Sequence, residues 1–137
     1  MFYGWIPERR PVMSLVDEQD SFLDDVSMLL RKAKELGFKR TAGELFRSEE
    51  QQAIYVKQGK SKVSHSRHQD KLAIDLNFFK DGVYLPSLGA VKARDILRPL
   101  GEWWESINPK NVWGGNFDRD WTKEDNFKDV PHFERRP

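Results

Sequence analysis

One seven-residue stretch limits the architecture more than any other part of the chain. Leu72-Ala73-Ile74-Asp75-Leu76-Asn77-Phe78 alternates with a period of two, the pattern of a strand with one face buried. Lys80-Asp81-Gly82-Val83 follows at once, a hairpin turn signal, and Val83-Tyr84-Leu85 returns. A sheet with antiparallel pairing is therefore expected near the middle of the sequence.

Helical patterns surround that strand. Phe22, Leu23, Val26, Leu29, Leu30, Ala33 and Leu36 recur at helical spacing, predicting a helix from about Leu15 to Leu36. Ser14 is placed to cap it, acidic residues fill its first half, and Arg31, Lys32 and Lys34 fill its last turns. That order complements the helix dipole, and Gly37 is a stop signal. Phe38 to Arg47 reads as extended. Ser48-Glu49-Glu50-Gln51 is a capping-box pattern that opens a second helix to about Gln58, with Gly59 ending it. A third helix is expected from about Arg98 to Ile107, with Pro99 in its first turn. Asn111–Phe117 and Val130–Glu134 read as short extended pieces. Strands dispersed among helices and joined by tight turns predict a single α+β domain: a mainly antiparallel sheet with helices packed against it.

The chain's 137 residues leave room for one such domain. Two would each approach the size at which a core alone is marginal. Residues 1–13 are aromatic, basic and proline-bearing without periodicity, and are read as an N-terminal arm preceding a domain at 14–137. Nine Phe, five Trp and three Tyr supply bulk for one core, although only 38% of residues are hydrophobic.

Cysteine is absent, which excludes a disulfide scaffold, a thiol nucleophile and any thiolate metal site. The formal net charge is +1, with both signs spread along the chain. No concentrated basic face marks a nucleic-acid partner. No apolar run approaches the ~18 residues that suggest a membrane span, so no membrane insertion is expected. The first ten residues lack the basic-then-apolar layout of a secretory signal, so the protein is expected to be made in the cytoplasm and not exported by a classical signal. No Gly-x-Ser-x-Gly elbow, phosphate loop or dinucleotide fingerprint occurs.

Only three histidines are present: His65, His68 and His132. Without thiolates, imidazole and carboxylate are the natural zinc ligands, and one ligand set would be two histidines and one carboxylate. Asp75 interrupts an otherwise apolar strand, where a carboxylate is costly unless paired or bound to a cation. It shares a face with Ala73 and Asn77, and His68 lies just before that strand. Solvated loop histidines and a salt-bridged aspartate remain the alternative on spacing alone. Trp113-Gly114-Gly115 gives an indole that either walls a cleft, with glycines admitting a substrate backbone, or packs in the core.

These residues carry a resemblance. Ser66-x-His68-x-x-x-x-Ala73-x-Asp75 is similar to the Ser-x-His-x-x-Gly-x-Ala-x-Asp signature of the D-alanyl-D-alanine carboxypeptidase (VanY-like) zinc peptidases, which include phage endolysins. Leu45-Phe46-Arg47-Ser48-Glu49-Glu50-Gln51 resembles the family's upstream Gly-Tyr-Arg-Thr/Ser-x-x-x-Gln stretch, and Tyr55 and Gly59-Lys60-Ser61 fit the spacer of phage members. Asp129-x-x-His132-Phe133-Glu134 resembles its closing Asp/Glu-x-x-His segment. The three motifs stand in the family's order between residues 15 and 134. Lys71 departs from the pattern by standing where the family often has Gly, and is expected to alter the loop or a cleft wall.

The resemblance implies a hedgehog/DD-peptidase-like fold and one Zn²⁺ per chain held by His68, Asp75 and His132. It implies Asp129 as general base and Arg47 beside the substrate carbonyl. Gln51 is expected to support Arg47 or a ligand, and Ser66 to bond substrate or orient a ligand. Trp113 is the third candidate for substrate contact. Glu124 and Asp125 are nearby carboxylates whose spacing fits less well, and His65 is read as a loop residue. The implied activity is zinc-dependent hydrolysis of a peptidoglycan stem peptide, first at the L-Ala–D-Glu bond as in phage endolysins. The alternative within the family is D-Ala–D-Ala carboxypeptidase action. The alternative from another class is a non-catalytic zinc-containing wall-binding module. The expected partner is the stem peptide, the expected state a monomer, and the expected location the host cytoplasm until release to the wall.

Overall fold

The computed structural model describes residues 13–63, 65–117, 119 and 129–137. The expected arm at 1–13 lies outside them except for Met13, as do Glu124 and Asp125.

Helix α1 (Leu15–Glu35) opens at Ser14, whose hydroxyl accepts from the Asp17 amide at 3.1 Å. Strand β1 (Lys39–Ala42) follows. Helix α2 (Glu49–Lys57) is capped by Ser48, which accepts from the Gln51 amide. Strand β2 (Ala73–Lys80) is the alternating stretch, and β3 (Val83–Tyr84) returns from it through Asp81 and Gly82. Those two residues have φ of 52° and 77°, the double left-handed geometry that a two-residue hairpin turn requires. Helix α3 (Ala90–Ile107), strand β4 (Asn111–Trp113) and strand β5 (His132–Arg135) complete the domain.

The five strands form one sheet in the order β1-β2-β5-β4, with β3 also on β2, and every pairing is antiparallel. The protein is thus α+β, as expected. Helices α1 and α3 cover one face of the sheet. Phe22, Val26, Leu29 and Ala33 of α1 meet Ala93, Leu97, Leu100 and Trp104 of α3, and both rows meet Leu76, Phe78 and Phe133 from the strands. Five rings run through this core edge to face: Phe22, Trp104, Phe133, Phe78 and Phe38, with successive centroids 5.8–5.9 Å apart. That offset geometry suits the ring quadrupoles.

Three expectations about the elements and their extents are corrected. Leu23 is 54% exposed, so it lies off the buried stripe of α1. Strand β1 occupies only part of the extended stretch from Phe38 to Arg47; beyond it, Gly43 and Glu44 still bond the backbone of Asp75 at 2.8 Å each. Helix α3 begins eight residues before Arg98, and Pro99 lies inside it. An interior proline costs a helix about 3 kcal/mol. Here the buried row Ala93–Leu97–Leu100–Trp104 runs through it and outweighs that local cost.

Strand β5 is fastened from behind. Arg135 is fully buried; it donates to Asp25, to Asn111 Oδ1 at 2.8 Å and to Ser21 Oγ at 3.0 Å. A buried guanidinium persists only when paired and bonded in this way. The network fixes β5 against α1.

Lys71 has φ of +57°. The backbone thus holds the left-handed conformation glycine takes freely, and the lysine side chain reaches the Phe46 ring, 5.6 Å from its centroid. The expected change in loop shape or cleft wall is corrected: the loop has a glycine-type backbone, and Lys71 is not part of the cleft lining. Left-handed φ costs a residue with a Cβ about 1–2 kcal/mol. Lys71→Gly should therefore raise stability by about 1 kcal/mol, read as a higher melting temperature. A lower one would show that the Phe46 contact outweighs the strain.

Candidate metal centre and cleft

The pairing register builds the centre. Asp75 on β2 lies directly opposite His132 on β5, and Ala73 opposite Glu134. Side chains alternate along a strand. Ile74, Leu76 and Phe133 face the core side, so Asp75, His132 and Glu134 share the other face. Residues 57 positions apart thereby become neighbours.

His68 arrives from the turn before β2. Its amide donates to Ser66 Oγ at 3.2 Å, and its carbonyl accepts from the Arg47 amide at 3.2 Å. The ring is buried, with Nδ1 3.1 Å from the Leu45 carbonyl. A carbonyl only accepts, so Nδ1 carries a proton and Nε2 turns toward the centre. On His132 the arrangement is reversed. Nε2 donates to Glu134 Oε1 at 2.6 Å, leaving Nδ1 toward the centre.

Three atoms meet there: His68 Nε2, His132 Nδ1 and Asp75 Oδ1. All three separations are 3.2 Å. Ligand atoms about 2.0–2.1 Å from a tetrahedral zinc lie about 3.3–3.4 Å apart, so the triangle has the size that zinc requires. The donor chemistry agrees. Two imidazole nitrogens and a carboxylate turned on one point repel unless a proton or a cation lies between them. The charge balance carries the same message. Burial would lower the His132 pKa, but its bonds to Asp75 and Glu134 push it up to about 10. Burial would raise Asp75, but its bonds with His132 and His68 hold it well below the usual carboxylate range. His68, Asp75 and His132 therefore fit a divalent cation, and they form a group able to hold one.

The triangle opens on a cleft of about 820 Å³. Asp129 lines it, with Oδ2 3.8 Å from His132 Nδ1. Burial raises its pKa, as does the charge of Asp75, against the lowering effect of His132, His68 and Arg47. The Asp129 amide donates to the Gly114 carbonyl at 2.9 Å, and its own carbonyl accepts from the His132 amide at 3.0 Å. Gly114 belongs to a 3₁₀ turn, Gly114–Asn116, held by Arg94 at the Gly115 carbonyl and by Glu105 at Asn116. A Cβ on Gly114 would land on the Asp129 carbonyl. The glycine thus admits the chain's own backbone, and not a substrate.

Arg47 also lines the cleft. Its Nε donates to Glu44 at 2.5 Å, its Nη1 to Gln52 Oε1 at 2.7 Å, and its guanidinium lies 4.7 Å from the Tyr55 ring centroid. The glutamine at Arg47 is Gln52, not Gln51. Counting Arg-Ser-x-x-x-Gln from Arg47 reaches Gln52, so the signal was present in the sequence. Ser66 bonds the His68 backbone and lines the cleft. Trp113 does not wall it: the indole is fully buried beneath Gly101 and Gly115 and donates to the Val130 carbonyl at 2.8 Å. His65 is exposed at the rim, 2.8 Å from Asp70. Glu134 had no assigned role, yet His132-x-Glu134 in a strand already places both on one face.

The fold is similar to that of a solved structure, the Serratia marcescens L-Ala D-Glu endopeptidase ChiX. The TM-score is 0.55 at 23% sequence identity, over 85% of this chain and 78% of that one. The likeness is one of fold. No family model matches the sequence, and no curated protein matches it. Among the described residues, no helix is long and apolar enough to cross a membrane.

Proposed function

We propose that this protein is a zinc-dependent peptidase acting on peptidoglycan stem peptides, with the L-Ala–D-Glu bond as its target. The observation that carries the reading is the 3.2 Å triangle of His68, His132 and Asp75 at the floor of an open cleft with Asp129 beside it. The fold likeness to an L-Ala D-Glu endopeptidase supports the choice of bond.

His68, Asp75 and His132 would hold the ion. What zinc supplies when bound is Lewis acidity toward a scissile carbonyl and toward water. The remaining roles belong to the chain. Asp129 takes the proton of the attacking water and returns it to the leaving amine. Its burial favours that exchange by raising its pKa above the usual carboxylate value. Arg47, pinned by Glu44 and Gln52, offers a fixed positive charge to the carbonyl oxygen as negative charge develops. Glu134 keeps His132 in the tautomer that presents Nδ1.

The test is incubation of the zinc-loaded protein with a defined muropeptide, followed by mass spectrometry. The expected products separate between L-Ala and D-Glu, and a chelator stops their formation. Release of terminal D-Ala instead would move the activity to carboxypeptidase. Zinc uptake with every stem peptide intact would make the protein a non-catalytic module.

A further inference from the structure

Helix α2 contributes one fully buried polar side chain, Gln52, at 1% exposure. Its amide is used at both ends. Oε1 accepts from Arg47 Nη1 at 2.7 Å, while Nε2 donates to the Val63 carbonyl at 2.6 Å and to Ser61 Oγ at 3.0 Å. Arg47 and residues 60–63 both line the cleft. Residues 60–63 belong to no helix or strand. They are fixed by the amides of Lys60 and Ser61 at the Tyr55 carbonyl and by the Gln52 tether.

We infer that Gln52 is a positioning residue that sets Arg47 against the rim segment carrying Lys60 and Lys62. For its effect on turnover the inference rests on the peptidase reading; its geometric content stands without it. Glutamine fits both duties because one end of its amide only accepts and the other only donates. Glutamate keeps the acceptor for Arg47 but cannot donate to Val63. Methionine keeps the volume and serves neither. A residue needed only for packing would not separate the two exchanges in this way.

The test compares Gln52→Glu and Gln52→Met with the wild type, each as the zinc-loaded full chain. One net hydrogen bond corresponds to about a tenfold effect. In Gln52→Glu, KM for a muropeptide should therefore rise about tenfold while kcat stays within about threefold. In Gln52→Met, kcat should also fall about tenfold. Two readouts do not depend on turnover. Amide hydrogen exchange at residues 61–63 should quicken in both variants. The Arg47 Nη1 proton resonances should stay protected in the wild type and Gln52→Glu and lose protection in Gln52→Met. Unchanged exchange at 61–63 in Gln52→Glu overturns the inference, as does loss of kcat and KM in one proportion in both variants. A wild type that cleaves no stem peptide defeats the proposed activity, while the exchange and resonance readouts still decide the role of Gln52.

Discussion

Exchanging Asp129 for asparagine should leave zinc uptake intact and lower turnover by about 10²–10⁴-fold, the usual contribution of a positioned general base. Asparagine has the same shape, so the backbone bonds at Gly114 and His132 survive. Only the proton acceptor is lost. The choice of Asp129 follows by comparing the carboxylates that line the cleft among the described residues: Glu44, Asp75, Asp129 and Glu134. Glu44 is held by Arg47, Asp75 is in the triangle, and Glu134 is shared between His132 and Arg136. Asp129 stands 3.8 Å from His132 Nδ1, beyond hydrogen-bond distance. Among the described residues, it is the cleft carboxylate neither bonded to a guanidinium nor placed in the triangle. Zinc content by elemental analysis and kcat on a muropeptide check the prediction. A variant with near wild-type kcat would hand the proton transfer to another group.

Much of this arrangement was legible because local chemistry and tertiary structure agree. Ser14 and Ser48 cap the helices they precede, and Asp81-Gly82 turns the hairpin it signals. Asp75 was conspicuous because a carboxylate in an apolar strand needs a partner. What escaped was set by packing at a distance. Pro99 looked like a helix start, since nothing local reveals that Leu97, Leu100 and Trp104 will be buried together against the sheet. Trp113-Gly114-Gly115 looked like a cleft wall, because sequence does not say whether the small residues make room for a substrate or for the chain itself. Here Gly101 and Gly115 make room for the indole, and Gly114 for the Asp129 carbonyl. Strand alternation alone places Glu134 on the face of His132.

The centre separates the three candidate ligands from the groups that hold them, and on the proposed reading metal affinity should follow that division. His132→Ala or Asp75→Ala removes one corner of the triangle and should abolish zinc binding at micromolar concentration. Zinc bound to the folded state alone adds about 2.7 kcal/mol of stability at a hundredfold excess over Kd. The wild type should therefore melt at a higher temperature with zinc than without, and both variants should lose that difference. Glu134→Gln should behave differently. The glutamine carbonyl still accepts from His132 Nε2, so the tautomer is kept, but the carboxylate charge that makes the ring a better donor is gone. Loss of such a partner typically weakens metal binding about 10–100-fold. A competition titration against a chelator of known affinity would read this as a shifted but measurable Kd, with one zinc still bound at saturation. Equal losses in Glu134→Gln and His132→Ala would make Glu134 itself a ligand. An unchanged Kd in Glu134→Gln would mean that the strand alone orients His132. Burial of the imidazole against Phe117, with ring centroids 5.4 Å apart, would then be what holds the ring.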